Sequence, residues 1–341
     1  MSCGLKDAWQ HAFRIGAAVS GSVLKKKEAD EIITRHFSSI TPESAMKFAV
    51  IHPEEKIWNF READLIAEYA RSRSLAMRGH AIIWHKRTPT WLFLSRDGTG
   101  PAAKRSLYKR LEKHIAALAS RYRDTVYAWD VLNEVIDAAK GDENGFRLSK
   151  WYRIGGREIF DFALKAMGEA CPGARLFYND NGIENGKKLE AALGFLKNLL
   201  DRGIPIHGVG IQGHWNYNYP DAGTLRTAIE KYAALGLEIE FTEVDISAYE
   251  PSDAGKRGEF FPSMPEDRLR AQAERYSELF RIAADYPAVK SITTWGIADN
   301  HTWLDGFPVH GRKNWPLLFD EKYRNKEVVP ALVETGLCLD D

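Results

Sequence analysis

The chain has 341 residues, with 47 lysines and arginines balanced by 47 aspartates and glutamates, 44% hydrophobic residues and 11% aromatics. Balanced charge argues against a nucleic-acid partner, which needs a basic surplus to displace counterions, and the aromatic content without low-complexity tracts argues against disorder. No run approaches the roughly 20 apolar residues of a membrane span, and the length suffices for one large α/β domain or two smaller ones.

From the N-terminus, residues 1–13 carry Lys6, Asp7 and His11 and no apolar core. The chain as written therefore shows no secretory signal and reads as cytoplasmic, or as secreted if a leader has been removed. Short β-rich runs then alternate with amphipathic ones. Residues 13–19 read as strand, 25–36 as helix, 37–41 as strand and 62–73 as helix; strands at 76–82 and 126–132 flank a helix at 102–122. A helix at 151–170, a strand at 175–178 and a helix at 187–202 follow, then a strand at 208–211 and a helix at 222–235. Strands at 238–241 and 291–294, with helices at 266–284 and 326–335, complete the series. Pro101 and Pro265 lie near helix starts and Gly203 and Gly236 just past helix ends. Eight strand–helix repeats with no Pro/Gly/Ser-rich linker predict an α/β fold, a single (β/α)₈ TIM barrel over residues 1–341. A doubly wound sheet with a second domain is the alternative, and it would more often show a break in composition.

The strand ends carry polar groups: Glu43 and Lys47; His80, Trp84 and His85; Asn133 and Glu134; Asn179 and Asp180; Gln212 and His214; Glu243 and Asp245; Trp295 and Asp299. In a barrel all of these gather on one rim, where active sites sit. Polar residues merely marking strand ends would explain one or two cases, not Glu, His, Gln and Trp at seven consecutive strands.

Several other chemistries find no support. Gly208-Val209-Gly210-Ile211-Gln212-Gly213 fits the dinucleotide spacing, but the following His214-Trp215-Asn216-Tyr217-Asn218-Tyr219-Pro220 cannot open the helix that motif requires. The ten histidines contain neither HxH nor HExxH, and Cys3, Cys171 and Cys338 form no CxxC, so no metal site and no cofactor are expected. Neither GxSxG nor a P-loop occurs. Two carboxylates remain: Glu134 closes Trp129-Asp130-Val131-Leu132-Asn133-Glu134, and Glu243 ends a strand with Asp245 two positions on and on the same face. One Glu at a strand end is more often an ion-pair partner. Two Glu on strands four and seven, beside the aromatic platforms of Trp84, Trp295 and Trp303, suit glycosidic cleavage.

These residues resemble glycoside hydrolase family 10, the endo-β-1,4-xylanases. The likeness runs through Thr41-Pro42-Glu43 with Met46-Lys47, Arg78-Gly79-His80 with Trp84-His85, the Asn133-Glu134 segment and Tyr178-Asn179-Asp180. It continues through Gly210-Ile211-Gln212-Gly213-His214, Thr242-Glu243-Val244-Asp245, Trp295-Gly296 with Trp303, and Pro316-Leu317-Leu318-Phe319-Asp320. The resemblance implies a retaining hydrolase acting on xylan or xylo-oligosaccharides, without cofactor and as a monomer. Glu134 would be the acid/base and Glu243 the nucleophile, their carboxyls roughly 5–5.5 Å apart. Glu134 would carry the proton when the bond breaks, favoured by the negative Glu243 nearby. It also implies that His214 bonds Glu243, that Asp245 orients that imidazole, and that Asn133 reaches the sugar 2-hydroxyl and the oxygens of Glu243. His80, Trp84, Gln212 and Trp295 would line the reacting sugar's subsite, with Glu43 and Lys47 one sugar outward and His85, Asn179 and Trp303 among the further substrate contacts.

The chain departs from the family pattern at Ser44, where Asn is usual, at Arg87, where Gln is usual, and at Asn181, where Tyr is common. The first two belong to the outer glycone subsite. We expect Arg87 to accept a uronic-acid branch, since a guanidinium grips carboxylate bidentately; a solvated rim residue is the plainer alternative. Other classes are a carbohydrate-binding barrel without catalysis, a metal-dependent barrel hydrolase, a β-1,4-glucanase or aryl-glycosidase, since glucose differs from xylose by one hydroxymethyl, and a specialised xylo-oligosaccharide hydrolase with an altered glycone subsite.

Overall fold

A computed structural model describes residues 3–255 and 260–338. Eight parallel strands form its centre: β1 Arg14–Val19, β2 Ser39–Pro42, β3 Ala76–Ile83, β4 Val126–Asn133, β5 Arg175–Asp180, β6 Gly208–Ile211, β7 Glu238–Ser247 and β8 Val289–Thr294. Each pairs with its neighbours in chain order, and β8 returns to β1 through Arg14 opposite Ser291, so the sheet closes on itself as a (β/α)₈ barrel. Closure removes both sheet edges and buries the strands on two faces.

Helices cover the outside because their apolar residues repeat at helical spacing. In Lys27–His36 the buried set is Ala29, Ile32, Ile33 and His36; in Ala222–Ala233 it is Leu225, Ala228, Ile229 and Tyr232, with Asp221 capping the N-terminus by accepting from Thr224 N–H. Fully burying one such Ile or Leu contributes about 1.5–3 kcal/mol. One apolar cluster runs from Leu5 to Leu332. Among the described residues no helix is long and apolar enough to cross a membrane.

Two elements differ from the sequence reading by more than a shift of one or two residues at an end. The helix expected over 151–170 is two, Lys150–Gly155 and Glu158–Ala170, because Gly156 takes φ +72° between them and Ser149 caps the first by accepting from Tyr152 N–H. β7 runs to Ser247 instead of stopping at 241, because its end pairs with a short strand His214–Asn216, with His214 opposite Asp245. That pairing brings the histidine to the carboxylates.

The barrel interior is polar at one level. Arg78 of β3 donates to Asp130 of β4 at 2.5 Å and to Glu240 of β7 at 2.7 Å, and Tyr127 donates to Glu240 at 2.9 Å. All three charged groups are buried. Removing one member would strand its partners, at about 3–5 kcal/mol. His80, opposite Asp130 across β3 and β4, donates from Nδ1 to the other Asp130 oxygen at 2.9 Å.

Candidate active site

The strand ends on the C-terminal side form a trough. Glu134 follows β4 and Glu243 lies in β7, three strands away, which is roughly 14 Å of arc at the usual strand spacing. The strands between them supply the bridge. Asn179 of β5 donates from Nδ2 to Glu243 Oε1 at 2.7 Å and lies 2.8 Å from the side-chain amide of Asn133. Gln212, just after β6, reaches both the side-chain amide of Asn133 and Glu134 Oε1 at 3.4 Å. A chain of amides thus joins the two carboxylates.

The amide on Glu243 is therefore that of Asn179, and Asn133 stands one amide further back. Asn179 can lie there because the facing residue on β6 is Gly210, whose added Cβ would come within 2.3 Å of Asn179 Oδ1. Thr242 Oγ1 donates to the same Oδ1 at 2.5 Å and sets the amide's orientation.

His214 bridges Glu243 and Asp245, with Nε2 at 3.2 Å from Glu243 Oε2 and Nδ1 at 3.0 Å from Asp245 Oδ1. Burial opposes a charge on this imidazole, but Asp245 and Glu243 outweigh it and push it up to about 10. Asp245 is held in turn by Trp303 Nε1, which donates to it at 2.7 Å. Glu243 responds: burial would raise it, yet the His214 hydrogen bond, together with the charges of His80 and His214, holds it below the usual glutamate range. It is built to stay anionic.

Glu134 has different surroundings. Its backbone takes φ +52°, a left-handed conformation that costs a non-glycine residue about 1–3 kcal/mol, and three hydrogen bonds stabilise the segment. Glu134 N–H donates to Asn179 O at 2.9 Å, and Arg147 clamps Glu134 O at 2.9 Å and Asp137 at 2.9 Å. His85 Nδ1 is 3.8 Å from Glu134 Oε2, and burial first, then Arg147, lowers this histidine to about 4, so it stands neutral beside the carboxyl. Glu134 keeps 8% and Glu243 5% of its surface exposed, enough for contact from the trough but little enough to strengthen electrostatics there.

Aromatic walls flank the pair. Lys47 is buried with its ammonium 4.8 Å from the Trp84 ring and 5.9 Å from that of Trp295. Its burial lowers its pKa, against the pull of Glu243 and Glu43. Trp295 meets His80 edge-on at 5.4 Å, and Trp303 meets His214 at 5.0 Å. Glu43 sits on the same rim, half-buried. Arg87 lies outside the hydrogen-bonded network: its side chain is exposed, and its carbonyl accepts from Ala49 N–H at 2.9 Å. Among the described residues no group of three or more His, Cys, Asp or Glu could hold a metal ion.

Three residues of the site escaped the sequence reading. Asp130 orients His80, Arg147 clamps the Glu134 segment, and His301 pairs with Glu43. Asp130 lies inside the segment Trp129–Glu134, whereas Arg147 and His301 carry no local signal.

The family model for glycosyl hydrolase family 10 matches residues 4–335. The chain is 44% identical over 331 residues to endo-1,4-beta-xylanase A of Caldicellulosiruptor saccharolyticus, covering 96% of this chain and 95% of the relative. It superposes with TM-score 0.92 and 40% identity on the crystal structure of an endo-1,4-beta-xylanase from Caldicellulosiruptor owensensis, covering 97% of this chain and 99% of that one. A mutant protein solved in complex with xylotriose matches equally well, at TM-score 0.92 and 40% identity over 98% of this chain and 100% of that one. The chain belongs to glycosyl hydrolase family 10.

Proposed function

We propose that residues 1–341 act as a single catalytic domain in which Glu134 is the acid/base and Glu243 the nucleophile of a retaining endo-1,4-β-xylanase. The observation that carries the division of labour is the asymmetry of the two carboxylates. Glu243 accepts from Asn179 and from a His214 held cationic by Asp245, which favours the anion. Glu134 faces a neutral His85 and the amide of Gln212.

The chemistry follows in two steps. Glu243 attacks the anomeric carbon while Glu134 delivers its proton to the leaving oxygen, so the carbon–oxygen bond breaks and a glycosyl ester forms. The negative charge on Glu243 disappears in that ester; Glu134 then takes a proton from water as the water attacks the same carbon, the bond from that carbon to Glu243 breaks, and Glu243 leaves as the carboxylate. Two inversions give net retention. His214 and Asp245, together with Asn179 backed by Asn133, support the nucleophile's orientation. His80, Trp84, Gln212 and Trp295 line the reacting sugar, with His85, Asn179 and Trp303 beside them, while Glu43 and Lys47 hold the next sugar on the glycone side and Arg87 lies at its rim. Xylan specificity follows the relatives, which are named endo-1,4-beta-xylanases, and a β-1,4-glucanase or aryl-glycosidase is not favoured. We expect the protein to act as a monomer.

Product analysis on xylan, arabinoxylan, glucuronoxylan and cellulose tests this, with Glu134→Ala and Glu243→Ala as controls. Internal cleavage of the xylans, and a loss of several orders of magnitude on xylan in both variants, is the expected result. A Glu243→Ala enzyme with normal turnover would refute the mechanism.

A further inference from the structure

The ion pair between His301 and Glu43 at the mouth of the barrel takes no part in the two chemical steps. His301 Nε2 lies 3.4 Å from Glu43 Oε2. His301 follows β8 and Glu43 follows β2, so the pair reaches across the end of β1, the strand that separates them in the sheet.

Both side chains spring from fixed backbone. Glu43 N–H donates to Val19 O at 2.9 Å, tying it to the end of β1. His301 N–H donates to Ala298 O at 3.0 Å, and just beyond it Thr302 caps Leu304 N–H while Trp303 is tied to Asp245. The turn into this loop requires Gly296: it has φ +140°, and an added Cβ would lie 2.8 Å from Leu317 Cδ1 and 3.2 Å from His301 O. What remains free is the direction of the Glu43 carboxylate. Two cations face it, His301 from the β8 loop and Lys47 from its own loop, while the anion Glu243 faces it from β7. Lys47 is buried between Trp84 and Trp295 and is shared with Glu243. Without His301 the carboxylate would be left to Lys47 and to the anion Glu243.

We propose that His301 is the positioning residue for Glu43, holding one carboxylate oxygen at the rim so that the other faces the trough and binds the second sugar on the glycone side. This rests on the assignment of Glu43 to that sugar. The clasp attracts while His301 keeps its proton. Its hydrogen bond to Glu43 raises the imidazole's pKa, against partial burial and the cationic Lys26, and Glu43 is lowered by the same contact. The clasp therefore persists from acid pH to above the ordinary histidine range and weakens at alkaline pH.

The test compares an aryl β-xyloside, which fills one glycone subsite, with the matching aryl β-xylobioside, which fills two. The ratio of their kcat/KM values isolates the second sugar. In His301→Ala this ratio should fall roughly three- to tenfold at neutral pH, the scale of one charge-assisted contact near the surface, through KM on the xylobioside and with the xyloside unchanged. His301→Gln, which retains a donor, should keep most of the ratio and lose the wild type's alkaline decline. Glu43→Ala should lower the ratio at least as far, and adding His301→Ala to it should change nothing more. A fall in Glu43→Ala without one in His301→Ala overturns the positioning role and leaves the subsite assignment standing. No fall in Glu43→Ala overturns the assignment and the positioning role with it. A loss on the xyloside in His301→Ala shows an effect on the reaction centre and also overturns the proposal.

Discussion

Replacing His214 with Asn removes the cation that links Glu243 to Asp245, 3.2 and 3.0 Å away. An ordinary histidine titrates near 6.5, and this one is pushed up to about 10 because its two carboxylates outweigh its burial. At 1.36 kcal/mol per pH unit that interval corresponds to at most about 5 kcal/mol. Partial solvent access, with 19% of the side chain exposed, reduces the expected value to about 2–3 kcal/mol. The sign is set by the raised folded-state value: the stabilisation is complete below pH 6.5 and disappears as the pH rises through about 10. Urea unfolding of wild type and His214→Asn at intervals from pH 6 to 10.5 measures it. The wild type should lead by a constant margin at the acid end, and the margin should shrink towards pH 10 and beyond. Glu243 also loses a cation in the variant, so the acid limb of kcat/KM should move to higher pH. Parallel stability curves across the whole range would show that His214 carries no such charge in the folded protein.

Gly210→Ala places a Cβ 2.3 Å from Asn179 Oδ1 and 2.9 Å from Thr242 Cγ2, which displaces the amide that donates to Glu243; kcat on xylan should fall roughly 10- to 100-fold, the worth of a hydrogen bond to a charged group, with an unchanged far-ultraviolet circular dichroism spectrum. An unaltered kcat would contradict the bridging role of Asn179. Arg87→Gln should lower the ratio of kcat/KM on glucuronoxylan to that on undecorated xylo-oligosaccharides by roughly three- to tenfold; an unchanged ratio means that the exposed guanidinium reads no acidic branch.

Most of the architecture was legible because strands and helices here obey local rules. Runs such as Gly208–Ile211 and helices such as Glu266–Ala284 lie where the apolar spacing and the flanking Gly and Pro put them. The split at Gly156 was not, because a glycine inside an amphipathic pattern reads as tolerated until its φ is known. Nor was the end of β7, which is extended by a partner strand, His214–Asn216, too short to stand out alone. In the trough, Glu134, Glu243, His214 and Asp245 could be picked out as polar residues at strand ends. Their connections could not. The bond from Asn179 to Glu243 depends on the register that sets Gly210 beside Asn179, and Arg78 meets Asp130 and Glu240 across 52 and 162 residues of chain. The pairing of His301 with Glu43 is likewise a product of closure, because β8 and β2 approach one another only when both flank β1.

The account depends most on Glu243 forming a bond to the sugar. Incubation with an activated 2-deoxy-2-fluoro-β-xylobioside, whose fluorine slows breakdown of the ester, followed by peptide mapping by mass spectrometry, examines that bond directly. One sugar adduct, on the peptide carrying Glu243 and absent from Glu243→Ala, is the predicted result. An adduct on another carboxylate, or rapid turnover of natural substrate with release of the inverted α-product and no adduct at all, would contradict it.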